Sequence, residues 1–245
     1  RQNAEQRELD GWVLTLDFPS YYPVMTYGDN AVLREELYRA YNTRASVQAE
    51  KTQWDKSKVM DEILALRHEQ SQLLGFDNFA EKSLAKKMAR SSEEVFAFLN
   101  DLAARSRPQA ENELQELQQF AKQAFGIDDL NPWDIAYYSE KLRQQKYNFT
   151  QEEVKPYFPV DRVIQGMFDI ISELYDVNFV QLEGIDTWHP DVRFYEIRDH
   201  QGVRAKFYFD LYARPKKRGG AWMVDCASRL KTSQRAQLPV AYMTC

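Results

Sequence analysis

His68 and Glu69 are the residues whose types and spacing come closest to a catalytic motif. They open like the metal-binding sequence H-E-x-x-H, in which two histidines one helical turn apart hold Zn²⁺ and the glutamate acts as a general base. That motif requires a second histidine at position 72, where this chain has Gln72. We therefore interpret His68 as a solvated residue on a helix surface and not as a metal ligand.

A second candidate pair is His189 and Asp191, which stand on either side of Pro190 just before a predicted hairpin. The two side chains could act as an acid–base or ligand pair, or His189 could bond to backbone in a rigid turn, which is the favoured interpretation. Cys226 has neither a nucleophile elbow nor a nearby histidine, so a role as nucleophile is not indicated. With 3 His and 2 Cys, the sequence defines no catalytic set and no closed metal site.

The composition is that of an ordinary globular protein, with 44% hydrophobic and 28% charged residues in a chain of 245. The net charge is −5, and the densest basic cluster is the short run 216–218, so the basic surface that nucleic-acid binding requires is missing. No run approaches the roughly 20 apolar residues that span a bilayer, which argues against a membrane protein. Two isolated cysteines suit a reducing compartment, and we expect a cytoplasmic location.

Helical periodicity dominates the first two thirds of the chain. Capping residues ahead of apolar stripes predict helix starts at Asp29 or Asn30, Ser57, Ser91 with Glu94 as its capping-box partner, Asn131 and Asp161. Gly75 stands where a glycine typically ends a helix. Pro108 should kink or end the helix that starts at Ser91, because proline lacks the N–H that an interior helical position needs.

After Tyr175 the apolar period changes from 3.6 to 2, which indicates strands. Residues 192–212 alternate strictly and predict a β-hairpin, whose loop uses Gly202 at positive φ. A last strand is predicted at Val240–Thr244.

The predicted fold class is mainly α (α+β), with a helical body over residues 1–175 and the beginning of a small β-sheet over residues 176–245. The chain begins at Arg1 without a methionine and stops at Cys245 inside the apolar run PVAYMTC. We therefore expect an internal piece of a longer protein, with an incomplete sheet.

Six segments together carry a stronger signal than any single motif. In chain order they are GWVLTLDFPSYYPVMTY, KVMDEILALRHEQSQLLGFDNFAEKSLAKKMA, NPWDIAYYSEKLRQ, WHPDVRFYEI, FYFDLYARPKKRGGAW and PVAYMTC. In this order and spacing they closely resemble the thimet-oligopeptidase family of zinc metallopeptidases, over essentially the whole chain. The resemblance implies an α-rich shell around a deep channel and hydrolysis of peptide bonds in short peptides.

The resemblance also implies where the chemistry would lie. In that family the zinc-binding helix, H-E-F-G-H, follows shortly after the strand that matches residues 239–245, and the further zinc ligand and the oxyanion donors come later still. We therefore expect zinc as the cofactor of the longer protein, no metal ligand or catalytic residue in this chain, and no activity of this chain by itself.

What the resemblance leaves to this chain is part of the wall of the substrate cleft. The last strand could be an edge strand that pairs with an extended peptide, or an ordinary inner strand, and both remain open. The basic loop before it could shape the channel mouth or be a plain surface loop. The candidate cleft residues are Val240, Ala241, Tyr242, Met243, Thr244, Arg214, Gly219 and Gly220.

An alternative function is a non-catalytic helical module that binds peptides or proteins, which the amphipathic helices and the missing catalytic set motivate. In either case the unfinished sheet has a consequence. We expect apolar surface on Phe207, Phe209, Tyr242 or Met243 to lose its cover, and the chain to self-associate through its C-terminal region.

Overall fold

The structure is a computed structural model that describes residues 2–5, 7–49 and 52–245. It consists of two compact units. The first unit extends to Asn148, except for the segment Asp17–Pro19, which belongs with Phe149–Cys245 in the second unit. The assignment of residues 1–175 to a channel wall refers to a longer protein and stays a prediction.

Helices occur throughout the first unit, and two more precede the sheet in the second. They are α1 (Gln2–Glu5), α2 (Phe18–Tyr27), α3 (Ala31–Asn42), α4 (Ser57–Leu73), α5 (Phe79–Leu84), α6 (Ser92–Phe125), α7 (Ile135–Tyr147), α8 (Gln151–Val154) and α9 (Val160–Tyr175). Short 3-10 turns cover Thr52–Trp54 and Lys155–Tyr157. The predicted change of structure after Tyr175 is confirmed, since α9 ends there and strands follow.

Two predicted helix starts are confirmed by their hydrogen bonds. The side chain of Asn30 accepts from the N–H of Leu33 at 3.2 Å, which caps α3. Ser91 caps α6 by accepting from the N–H of Glu94 at 3.3 Å, and Glu94 accepts in turn from the N–H of Arg90 at 2.7 Å. These bonds satisfy backbone donors that the first helical turn otherwise leaves unpaired.

The predicted caps of α4 and α7 are wrong, because the N-cap residues of these helices are Lys56 and Asp134, and neither forms a side-chain cap bond. Ser57 is the first residue of α4, and its N–H and hydroxyl donate to Asp55 at 3.0 and 2.7 Å. α7 begins only at Ile135. A turn precedes it, in which Asn131 donates its side-chain N–H to Asp134 at 3.3 Å.

Asp161 is not the cap of α9 either. It lies inside the first turn of that helix, behind Pro159, and forms an ion pair with Arg193 at 2.8 Å. The N-cap residue is Pro159, whose side chain has no oxygen that could accept a backbone hydrogen bond, so α9 starts without a side-chain cap.

Of the two effects predicted for Pro108, a helix end is wrong, because α6 is continuous from Ser92 to Phe125, and a kink stays a prediction. An interior proline costs a helix about 3 kcal/mol. The 34 residues of α6 outweigh this cost with the Ser91 cap at one end and Gly126 in the left-handed region (φ 70°) at the other. No helix among the described residues is long and apolar enough to cross a membrane.

The core of the first unit lies between α6 and α7. Its buried members are Leu117, Ala121, Tyr137 and Tyr138. Tyr137 and Tyr138 meet edge to face at 5.0 Å, the arrangement that aromatic rings prefer. This packing joins the C-terminal half of α6 to the start of α7.

A buried ion pair joins α3 to the start of α7. Arg34 is 1% exposed, and its guanidinium donates to Asp134 at 2.7 Å and to the carbonyl of Gly28 at 2.6 Å. The same guanidinium lies 4.2 Å over the ring of Tyr137, whose hydroxyl donates to Asp29 at 2.7 Å. Burial, strengthened by the bond to Asp29, raises the pKa of Tyr137 to about 12.

The sheet of the second unit has the order β1-β2-β3-β7-β4. Its strands are β1 (Asn178–Leu182), β2 (Arg193–Asp199), β3 (Gly202–Asp210), β4 (Trp222–Ala227) and β7 (Val240–Thr244), and a separate two-stranded ribbon contains β5 (Leu230–Lys231) and β6 (Ala236–Gln237). The predicted hairpin is confirmed as β2 and β3, with Gly202 at φ 113°. β3 and β7 run parallel, and the other neighbours are antiparallel.

One face of this sheet packs against α9. Ile164 and Phe168 of α9 form a buried cluster with Tyr195, Phe207 and Phe209. Of the four residues expected to lose their cover, Phe207 and Phe209 are buried, at 5% and 4% exposed, whereas Met243 is 38% exposed. Helix α9 covers this face of the sheet, which the sequence pattern did not predict.

Candidate peptide-binding edge

The predicted cleft strand, β7, lies inside the sheet. It pairs with β3 on one side and with β4 on the other, so both of its edges are occupied. The hypothesis that this strand is a free edge is wrong, and the alternative of an inner strand is confirmed. The reason is Trp222–Ala227, which follows the basic loop and returns antiparallel beside β7.

The free edge on this side of the sheet belongs to β4. Among the described strands, none pairs with the outer side of β4. Antiparallel pairing leaves alternate N–H and C=O groups of such a strand pointing outward. Met223 and Val224 at its centre are 61% and 49% exposed. The pairing shifts between Asp225 and Ala227, which marks a bulge near the far end.

The basic loop is anchored to the end of β3 by a buried carboxylate. Asp210 is 4% exposed and accepts two hydrogen bonds from Arg214, at 2.6 and 2.7 Å. The ammonium of Lys217 and the indole N–H of Trp188 donate to the same carboxylate, each at 2.9 Å. The bonds from Arg214 outweigh the opposing effect of burial and hold the pKa of Asp210 far below its ordinary value.

Aromatic rings lie on the sheet face that carries Asp210, opposite α9. The ring centroids of Trp188, Tyr208 and Tyr242 are 5.2 to 5.4 Å apart. A hydrogen bond with Cys226 raises the pKa of Tyr242. Because Trp188 is half exposed, this cluster provides apolar surface beside the strands that end at the basic loop.

The structure brings several of the predicted cleft residues to one end of the sheet. Thr244 lies in register with Asp210 on one side and Trp222 on the other. Arg214 is bound to Asp210, and exposed Gly220, at φ 106°, leads into β4. The other candidates are Gly219 in the loop and Val240, Ala241, Tyr242 and Met243 along β7.

Of the histidines considered from the sequence, His68 lies in the first unit and His189 directly follows Trp188 in the second. His68 is exposed on α4, and Gln72 donates its amide to the carbonyls of Phe76 and Asp77 at 3.3 and 2.8 Å. His189 accepts a hydrogen bond at Nδ1 from the N–H of Asp191 at 3.3 Å. The interpretation of this segment as a turn is therefore confirmed.

The described ranges, 2–5, 7–49 and 52–245, contain no group of three His, Cys, Asp or Glu side chains that could hold a metal ion. Their donor set therefore does not fit a zinc site. A zinc ion would need ligands from outside these residues. The two cysteines, Cys226 and Cys245, are free and exposed.

Two features of this site were not predicted from the sequence, namely β4 and the role of Asp210. In β4 both alternating sets are largely apolar, so the period of 2 gives no signal. Asp210 lies within the hairpin predicted over residues 192–212, and apolar periodicity gives it no role. An acidic residue at a strand end, four and seven positions before Arg214 and Lys217, is a charge pattern that could have indicated the anchor.

Comparison with known proteins identifies the family. Residues 24–245 match Peptidase family M3. The chain is 54% identical to oligopeptidase A of Escherichia coli (strain K12), over all of this chain and 36% of that protein. It is 41% identical to the organellar oligopeptidase A, chloroplastic/mitochondrial, of Arabidopsis thaliana (96% of this chain, 30% of that protein).

A third relative is the dipeptidyl carboxypeptidase of Escherichia coli (strain K12), which is 32% identical over 99% of this chain and 35% of its own length. The chain thus spans 30 to 36% of the length of these three relatives. Because the family match covers residues 24–245, the chain belongs to peptidase family M3, as the six segments predicted.

Proposed function

We propose that the protein containing this chain is a zinc-dependent metalloendopeptidase that hydrolyses peptide bonds in short peptides, and that this chain forms part of its substrate cleft. Membership of peptidase family M3 supports peptide hydrolysis. The observation that carries the cleft assignment is the outer edge of β4, which pairs with no other strand in the described part of the chain and directly follows an anchored basic loop.

The edge of β4 suits an extended peptide as its ligand. A strand of 6 residues, at about 3.3 Å per residue, offers roughly 20 Å of outward N–H and C=O groups. A peptide that adds itself as a further strand gains main-chain hydrogen bonds, which do not depend on its sequence. Most backbone groups of a folded protein are already paired, so this mode of binding favours unfolded, short substrates.

The chain by itself is proposed to be inactive. Its one H-E pair is followed by Gln72 in place of the second histidine, and its other histidines, His189 and His200, lie in turns of the second unit. The zinc ligands and the general base would come from the remainder of the longer protein, as the family resemblance implies. The bound zinc would then supply an activated water for hydrolysis.

The test compares the complete polypeptide with this chain, using an internally quenched peptide of about ten residues. We expect cleavage by the complete polypeptide, loss of cleavage with a chelator, and recovery when zinc is added back. The same peptide should stay intact with the isolated chain. Cleavage by the complete polypeptide that a chelator leaves unchanged would contradict the zinc assignment, and cleavage by the isolated chain would contradict its inactivity.

The alternative, a non-catalytic binding module, makes the opposite prediction. It requires that the complete polypeptide binds peptides without turnover, with or without zinc. Its motivation is the amphipathic helices, which family M3 membership explains equally well as the scaffold of a peptidase.

We also propose a cytoplasmic location and self-association of the isolated chain. Free, exposed Cys226 and Cys245 suit a reducing compartment. The exposed edge of β4, with Met223 and Val224 beside it, offers a second copy the same row of backbone groups that it offers a peptide.

A further inference from the structure

Asp210 joins three segments of the second unit through a single buried side chain. Trp188 comes from the segment before β2, Arg214 and Lys217 come from the basic loop, and Asp210 itself ends β3. Charge-assisted bonds of this kind are among the strongest hydrogen bonds in proteins, and the paired arrangement of Arg214 fixes direction as well as distance.

The main chain at Asp210 adds to the same network. Its carbonyl accepts from the ammonium of Lys217 at 2.8 Å and from the N–H of Cys245, directly after β7, at 2.9 Å. Lys217 also donates to the carbonyl of Tyr212 at 2.8 Å, so its three donors are all used. Only 7% of its side chain is exposed, so Lys217 is not a surface charge but a buried group that holds the loop to the end of β3.

The rest of the basic loop lacks comparable burial. Lys216 and Gly220 are exposed and adopt positive φ values of 67° and 106°, and this conformation is unfavourable for Lys216 but not for glycine. The loop is connected to β4 through Arg218, whose guanidinium lies 5.4 Å over the ring of Trp222. A path of contacts therefore runs from Asp210 through the loop to the first residue of the free edge.

We propose that Asp210 is a positioning residue for peptide binding. It fixes the basic loop, residues 214–220, so that the loop and the outer edge of β4 present one continuous surface to an extended peptide. This inference rests on the proposed function. A buried ion cluster adds little to stability on average, because desolvation offsets its attraction, whereas it does select one geometry.

The test uses the complete polypeptide with Asp210→Asn, which keeps the size of the side chain and removes its charge. We expect KM for the quenched peptide to rise about tenfold while kcat stays within about threefold, because the loss affects binding and not the chemical step. Trypsin cleavage after Lys216, Lys217 or Arg218 should accelerate about tenfold as the loop is released.

The matched control is Glu196→Gln on the neighbouring strand. Glu196 is equally buried and pairs with Arg198 at 2.6 Å and Lys206 at 3.0 Å, but it is not bonded to the basic loop. We expect this variant to leave KM and the trypsin cleavage rate unchanged. If Asp210→Asn leaves KM unchanged, or if both variants raise it equally, the inference is overturned.

A second variant, Lys217→Met, covers the case in which Asp210→Asn does not fold. It leaves Asp210 bonded to Arg214 and Trp188. We expect KM to rise about threefold, and trypsin cleavage after Lys216 or Arg218 to accelerate as in Asp210→Asn. An unchanged KM in a folded Lys217→Met protein would overturn the inference. If the wild-type polypeptide cleaves no peptide, the proposed function is wrong. The inference is then tested by binding alone, and equal Kd values of the wild type and Asp210→Asn for the peptide would overturn it.

Discussion

Arg34 shows how much of the first unit depends on single buried charges. Only 2% of its side chain is exposed, and its partner, Asp134, is nearly as buried at 8%. Among the described residues Asp134 has no ion pair besides Arg34, and a buried carboxylate that loses its cation keeps its desolvation penalty without compensation. The intact pair therefore adds little to the free energy of unfolding, whereas removing one partner lowers that free energy strongly.

The first prediction follows from this pair. Arg34→Met should lower the free energy of unfolding by about 3 kcal/mol, because it leaves the Asp134 carboxylate buried and unpaired. Arg105→Met is the control, since Arg105 and Asp101 form a pair with 78% and 60% of their side chains exposed. It should change stability by less than about 0.5 kcal/mol. Urea unfolding of both variants measures the difference, and equal losses would contradict the argument.

Tyr137 gives a prediction for alkaline pH. Its pKa is about 12 in the folded chain and about 10 unfolded, so the neutral phenol stabilises the fold. This stabilisation is complete below pH 10 and is lost as pH rises toward 12. Tyr137→Phe should be less stable than wild type at pH 8, with a gap that narrows between pH 10 and 12. A gap of constant size in urea unfolding across this range would contradict the assignment.

At the scale of elements, α6 is the clearest case in which local sequence signals disagree with the outcome. Pro108 indicates a helix end, and yet the helix continues for 17 residues beyond it. Helix formation is cooperative, so a long, capped helix tolerates one position that lacks a hydrogen bond. Pro108 does cost the helix free energy, but this cost is smaller than the stabilisation that the rest of α6 provides.

Pro108→Ala should therefore stabilise the chain. Restoring the missing hydrogen bond within α6 is expected to raise the free energy of unfolding by about 1 to 3 kcal/mol. Gln109→Ala, at the next position, should have an effect below about 0.5 kcal/mol. Urea midpoints of the two variants give the comparison, and a destabilised Pro108→Ala protein would show that the proline is required in this helix.

Self-association is a prediction about one element, β4. Met223→Lys places a charge beside the free edge and should reduce assembly of the isolated chain. Met60→Lys on α4 is the matched control, because Met60 and Met223 are both 61% exposed. Light scattering at equal concentrations should give a smaller particle for Met223→Lys only. Equal reduction by both variants would indicate general hydrophobic association in place of edge pairing.

At the scale of the whole molecule, the sequence predicted the architecture better than the site. Apolar periodicity predicts the hairpin, the last strand and the helices, because each of these elements buries one of its faces in the protein. The order of the strands does not follow from periodicity, so an edge position and an inner position both stayed open for β7, and the free edge at β4 was not predicted. The anchor at Asp210 was missed for the same reason, since its partners meet only once the loop has folded back.

The central claim is that an extended peptide binds along the outer edge of β4. Hydrogen exchange of the complete polypeptide, with and without a non-hydrolysable peptide, tests it directly. The account predicts slower exchange of amides in Trp222–Ala227 on binding, with no change in β1, the strand at the opposite edge of the sheet. Unchanged exchange in β4 at saturating peptide, or protection confined to β1, would contradict it.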